Sequence, residues 1–146
     1  MRVVLRLFLQ CLLLLLATSS PAVTPEALQK LAFGDPDEKI VVLGEIAAAA
    51  DESAIVLLQA LADDSVQAHT EKKIVLIVKD GKGIDAATGK AVEPLPEGLD
   101  DVVINNRVRG QISSVIAALK LVSPDKVVRL AAAKELQSSE IGRAHV

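Results

Sequence analysis

The chain has 146 residues, of which 51% are hydrophobic but only 1% aromatic, and its formal net charge is −3. Proteins that read nucleic acids usually stack bases on aromatic rings and carry a basic patch, so this composition argues against a nucleic-acid partner. The single cysteine, Cys11, excludes a disulfide framework. With two histidines and one cysteine, we predict no metal, no cofactor and no enzymatic activity.

The first 22 residues have the three-part layout of a secretory signal peptide. Arg2 and Arg6 precede an apolar run over Leu7–Ala17, and small and polar residues follow it. Ala22 is the predicted cleavage position. The apolar run is shorter than the roughly 20 residues that span a bilayer, although an uncleaved anchor remains the alternative.

Residues 23–68 are predicted to form a helical part. Thr24 caps a short helix that ends at Phe33, and Asp35 with Glu38 has the spacing of a capping box for the next helix. Apolar residues then recur at helical spacing in two further segments: Ile40, Leu43, Ile46 and Ala47, followed by Ile55, Leu57, Leu58 and Leu61. Residues 35–64 therefore predict a helix–turn–helix pair of the size found in HEAT-like repeats.

Residues 69–100 differ in character and predict a small β-hairpin insert. Lys73–Lys79 is a short β-branched run bounded by lysines, and Asp80-Gly81 is typical of a tight turn. Ile84–Val92 is the predicted return strand, with a second turn at Thr88-Gly89-Lys90. An isolated hairpin is only marginally stable, so we expect it to lie against the helices, with a proline-spaced loop leading back to them.

Residues 101–139 predict a second helix pair. Asn105 or Asn106 caps a helix with one apolar stripe, formed by Val108, Ile112, Val115, Ile116 and Leu119. Ser123-Pro124-Asp125 is predicted to begin a second helix, with Ser123 as its cap, and the run VVRLAAAKEL after it resembles the first helix of a HEAT-like repeat. The fold class is therefore mainly α, with HEAT-like helix pairs and a hairpin insert after the signal segment.

Several segments resemble binding or catalytic motifs, but a structural role explains each of them better. The glycines of the Gly83–Lys90 segment are one residue too far apart for a phosphate-binding loop. His69 lies in a polar stretch without ligand partners, and we expect it to be solvated. The acidic pairs Asp63-Asp64 and Asp100-Asp101 are expected at helix boundaries, where they cap.

Two arginines, Arg107 and Arg109, follow the predicted cap of the third long helix. In one interpretation the two arginines bind an acidic partner. In the other, which we favour, they form the exposed first turn of a helix. No residue is assigned as catalytic, cofactor-binding or metal-binding.

The order of these segments resembles the N-terminal extracytoplasmic region of the urea ABC-transporter permease, within the branched-chain amino-acid permease group. The resemblance covers about Met1 to Ser139 and is most specific in PLPEGLDDVVINNRVRGQI and SPDKVVRLAAAKELQ. Further matches are LAFGDPDEKIVVLGEIAAAADESAIVLLQALAD and the DAATGK turn. The family's transmembrane pore lies downstream of this region and is not represented in this sequence.

The resemblance implies a fragment of a permease that takes part in urea uptake, exported to the periplasmic side of a bacterial inner membrane. Its implied partners are a second permease subunit, two ATPase subunits and a periplasmic urea-binding protein. The alternative is a free periplasmic HEAT-like adaptor for protein interactions. Residues 140–146 resemble a translated sequencing adapter from Ile141 onwards, so we expect them to be a non-native tail on a truncated gene.

Overall fold

A computed structural model of the protein describes residues 23–143, with side chains described as far as Gln137. The predicted signal segment, residues 1–22, lies outside the described residues, as do residues 144–146. Within the described range the chain forms five helices: α1 (Pro25–Phe33), α2 (Pro36–Ala49), α3 (Ala54–Ala62), α4 (Asn106–Leu121) and α5 (Lys126–Arg143). None of these helices is both long and apolar enough to cross a membrane.

Between α3 and α4 the chain forms a small antiparallel sheet. Its strands are β1 (Val66–His69), β2 (Ile74–Lys79), β3 (Lys82–Asp85), β4 (Ala91–Val92) and β5 (Asp100–Asp101). The strand order is β4-β3-β2-β1-β5. About half of the described chain is helical, so the mainly helical prediction is right at this coarse level.

The predicted strand and turn at the centre of the sheet are confirmed. Strand β2 occupies most of the lysine-bounded run, and Lys79 pairs with Lys82 across a two-residue turn. Both turn residues have positive φ, 52° at Asp80 and 75° at Gly81. This backbone matches the right-handed twist of the flanking strands, which is why an Asp-Gly pair favours the hairpin.

The prediction of a two-stranded insert was wrong, because the sheet has five strands and extends beyond residues 69–100 at both ends. The expected return strand is divided into β3 and β4 at Asp85. The Asp85 carboxylate accepts hydrogen bonds from the backbone N–H groups of Ala87 and Thr88, at 3.0 and 2.7 Å. This local turn competes with strand pairing and folds the chain back.

The starts of α1, α2 and α4 follow the predicted capping chemistry, whereas Ser53 at the start of α3 makes no side-chain capping bond. Thr24 accepts from the N–H of Ala27 at 3.1 Å, and the Asp35–Glu38 capping box is present in both directions. Asn105, rather than Asn106, caps α4 by accepting from the N–H of Val108 at 2.9 Å. At α5 the predicted cap was wrong: Asp125, not Ser123, accepts from the N–H of Val127, at 2.7 Å, and the helix begins two residues later, at Lys126.

The hydrophobic core lies where α4 packs against α2 and α3. The predicted stripe of α4 is confirmed in full, since all five of its aliphatic residues are buried. On α2 the buried face is turned slightly from the prediction: it comprises Lys39, Val42, Leu43 and Ile46, while Ile40 and Ala47 are partly buried at its edge. The core is therefore built from aliphatic side chains, as the near absence of aromatic residues requires.

Candidate functional site

Lys39 is the most unusual residue in the core. The residue is 5% exposed, and its Nζ donates a hydrogen bond to the backbone carbonyl oxygen of Val103 at 2.9 Å. Burial lowers the pKa of Lys39 from its usual 10.5, because removing an ammonium ion from water disfavours the charged form. Among the side chains that the structure describes, no carboxylate lies within 4.0 Å of this amine.

Helical spacing explains why a lysine is buried here. Lys39 stands three, four and seven residues before Val42, Leu43 and Ile46, which are all buried on the same face of α2. The burial of Lys39 was not predicted, because the charged Asp-Pro-Asp-Glu-Lys start of the helix resembles an exposed first turn. Extending the apolar stripe back by one turn would have placed the lysine on the core side.

A cleft of about 410 Å³ lies above Lys39, between the α1–α2 junction and the chain that runs from β5 into α4. Its walls are largely apolar, and its lining includes Ala32, Phe33, Pro36, Val102, Val103 and Val108. Asp100 and Asp101 also line it, and both are exposed. The cleft thus combines a buried cation, an apolar wall and an acidic rim.

The two arginines of α4 are both engaged inside the molecule. Arg107 forms an exposed ion pair with Asp37 of α2, with 2.7 Å between Nη1 and Oδ1. Arg109 donates to both carboxylate oxygens of Asp64, at 2.8 and 3.1 Å, and to the carbonyl oxygen of Ala62 at the end of α3. The prediction of an exposed first turn holds for Arg107 and is wrong for Arg109, whose side chain is 35% exposed.

Asp63-Asp64 lies directly after α3, at a helix boundary as predicted, with Asp63 as the C-cap. His69 and the other acidic pair differ from expectation. His69 is half-buried in β1, opposite Ile74, where its Nδ1 accepts from the N–H of Lys72 at 3.4 Å. Asp100 and Asp101 form β5 instead of capping a helix, because they pair with Ala68 and Gln67 of β1. Strands of two to four residues have too little periodicity for a polar sequence to reveal them.

The last helix presents an apolar surface to solvent, which we call the α5 outer face and define by Val127 and Leu130. These side chains are 74% and 53% exposed, whereas Ala132 on the other side of the helix is 3% exposed and faces α4. Arg129 folds back to the helix start and donates to the carbonyl oxygens of Ser123 and Pro124. The outer face therefore belongs to a helix that is anchored at its start.

No group of three or more histidine, cysteine, aspartate or glutamate side chains suited to a metal ion occurs in the described part of the chain. Searches against family models, curated proteins and solved structures found no match to this chain. The surfaces that remain as candidates for function are the Lys39 cleft and the α5 outer face.

Proposed function

We propose that this chain is the periplasmic contact region of the permease subunit of a urea ABC transporter. In this proposal the domain acts by contact and spacing rather than by catalysis, and the permease's membrane domain and the other transporter subunits are its partners. The proposed identity of the transporter rests on the resemblance of residues 1–139 to that family. The α5 outer face is the single observation that supports the contact role.

The α5 outer face suits a packing surface because it is apolar and lies on the side of the helix opposite α4. In HEAT-like arrays each helix pair buries one face against the preceding pair and the other against the next. We include in the proposal that α2–α3 and α4–α5 are HEAT-like pairs of this kind. A further helical element placed on Val127 and Leu130 would then continue the stack.

Burial of these two side chains would contribute usefully to binding. Fully covering an exposed aliphatic side chain contributes about 1.5–3 kcal/mol, and the two side chains are adjacent at i and i+3 on the helix. A charged residue introduced at either position would have to be desolvated on contact, which opposes association. The outer face is therefore the part of the surface whose substitution tests the proposal most sharply.

The experiment uses a complete permease gene that carries this segment, expressed with the other transporter subunits. Deleting residues 35–139 should lower uptake of labelled urea or reduce recovery of the assembled complex from membranes. The point variant Val127→Asp should have the same effect to a lesser degree. Val56→Asp is the matched control, because Val56 is also a helical valine, on α3, and is 65% exposed.

The outcome is read from uptake and assembly together. Unchanged urea uptake with unchanged complex assembly after the deletion would contradict the proposed role. Equal losses from Val127→Asp and Val56→Asp would show that the α5 outer face is not the contact surface. Recovery of the segment with a soluble partner alone would instead support the free adaptor.

A further inference from the structure

Lys39 has more hydrogen-bonding capacity than its surroundings use. A lysine ammonium has three N–H donors, and one of them is engaged by the carbonyl oxygen of Val103. A buried charge is costly unless it is paired, and no described carboxylate lies within 4.0 Å of the amine. The site therefore favours an anionic group that enters from outside the chain.

The cleft over Lys39 has the dimensions and the walls of a small-molecule site. Its volume of about 410 Å³ falls within the range of about 300–1,000 Å³ that is usual for ligand pockets. The walls contributed by Phe33, Val102 and Val108 are apolar, so the part of a ligand that lies against them should be hydrocarbon. A polar group is needed only where the ligand meets the amine.

The rim limits the charge that a ligand can carry. Asp100 and Asp101 line the same cleft and are exposed, so they repel a ligand with several negative charges. A monocarboxylate meets this condition better than a phosphate, since it carries one charge over two oxygens that can accept from a single ammonium.

We propose that the cleft binds a small organic monocarboxylate, with its carboxylate on the Lys39 ammonium and its hydrocarbon part against the wall formed by Phe33, Val102 and Val108. This binding site is separate from the α5 outer face and does not depend on the transporter role proposed above.

The test is a titration of the full chain, with its lysine side chains labelled with ¹³C at Cε, using propionate as the probe. Propionate should shift the Lys39 Cε resonance and raise the pKa of Lys39 toward its usual value, because a bound anion stabilises the ammonium. Propionamide has nearly the same shape and no charge, so it should bind at least about tenfold more weakly, as expected for loss of a charged hydrogen bond.

The variant Lys39→Met keeps an unbranched side chain, one heavy atom shorter, and removes the charge. It should weaken propionate binding by about 10- to 100-fold. The control Lys30→Met removes an exposed lysine of α1 that does not line the cleft and should leave binding unchanged.

Three results would overturn the proposal: no propionate-dependent shift at Lys39, equal affinity for propionamide, or full propionate binding by Lys39→Met. If Lys39→Met does not fold, the comparison of propionate with propionamide on the unmodified chain decides the question by itself.

Discussion

Helices α4 and α5 are neighbours of similar length, yet they relate to the rest of the molecule in opposite ways. Helix α4 packs against α2, α3 and α5, and its five aliphatic stripe residues are each at most 9% exposed. Helix α5 buries Ala132 against α4 and leaves Val127 and Leu130 exposed. The two helices have similar apolar content. In α4 the apolar side chains form part of the core, whereas in α5 they are divided between a small contact with α4 and the outer face.

The comparison shows what an apolar residue on a helix does and does not indicate. A stripe at helical spacing predicts that one face will be covered, but the partner that covers it is decided by tertiary packing. For α4 that partner is within the described chain. For the outer face of α5 we propose that it is another part of a transporter.

The largest expected difference between the two helices comes from truncating one aliphatic side chain in each. Ile112 of α4 is fully buried, so Ile112→Ala should lower the free energy of unfolding by about 2–5 kcal/mol. Leu130→Ala on α5 should change it by no more than about 0.5 kcal/mol, because the side chain is mainly exposed. Guanidinium denaturation of both variants measures the contrast, and similar costs would show that α5 is part of the same core.

The next largest effect concerns the attachment of α4 to α3. Arg109 binds the carbonyl oxygen at the end of α3 as well as Asp64, whereas Arg107 has one exposed ion pair. Arg109→Ala should cost about 1–3 kcal/mol, and Arg107→Ala less than about 1 kcal/mol, with the latter loss reduced further by salt. Denaturation at low and high salt distinguishes them. If both variants lost the same free energy of unfolding and high salt abolished both losses, the proposed attachment of α4 to α3 through Arg109 would be contradicted.

A smaller effect is expected at the helix starts. Asn105→Ala removes the cap of α4 and should lower the free energy of unfolding by about 1 kcal/mol. Asp125→Ala removes the corresponding bond of α5, and we expect its main effect to be faster amide exchange in the first turn of that helix. Ser53→Ala is the control, because Ser53 precedes α3 without a side-chain capping bond and its removal should have little effect.

The smallest expected effect is a pH dependence of the free energy of unfolding, caused by Lys39 on the buried face of α2. Because burial lowers the pKa of Lys39, the unfolded chain binds more protons at this residue than the folded chain between the lowered value and 10.5. The free energy of unfolding should therefore rise with pH through that window because of Lys39. This rise should be absent in Lys39→Met. Measuring both proteins from pH 7 to 11 tests the sign. If the free energy of unfolding of the unmodified protein, relative to that of Lys39→Met, falls as the pH rises, the burial of the amine is contradicted.

The elements that could be predicted from the sequence are those with a repeating pattern or a strong local signal. The stripe of α4 repeats over three turns, and the capping box and the Asp80-Gly81 turn are each specified by neighbouring residues. Strand β1 contains only four residues, two of them polar, and β5 contains two aspartates. Their pairing depends on contacts far along the chain, which local composition does not reveal.

The candidate sites were predictable to different degrees. The apolar content of α5 is evident in its sequence, but the division of that content between Ala132 and the outer face depends on how α5 sits on α4. The Lys39 cleft depends on three separate segments: the α1–α2 junction, β1 and the β5–α4 connection. The sequence places a lysine at the start of a helix, but its burial depends on the carbonyl group of Val103, which only the tertiary fold brings opposite the amine.

The most direct measurement of the proposed contact role is site-specific photo-crosslinking in the urea transporter to which we propose that this chain belongs. A photoreactive phenylalanine analogue is introduced in place of Val127 on the α5 outer face, or in place of Val56 on α3 as the control. We predict that position 127 crosslinks to another part of the transporter and that position 56 does not. Equal crosslinking from the two positions, or none from position 127 in a complex that transports urea, would contradict the account.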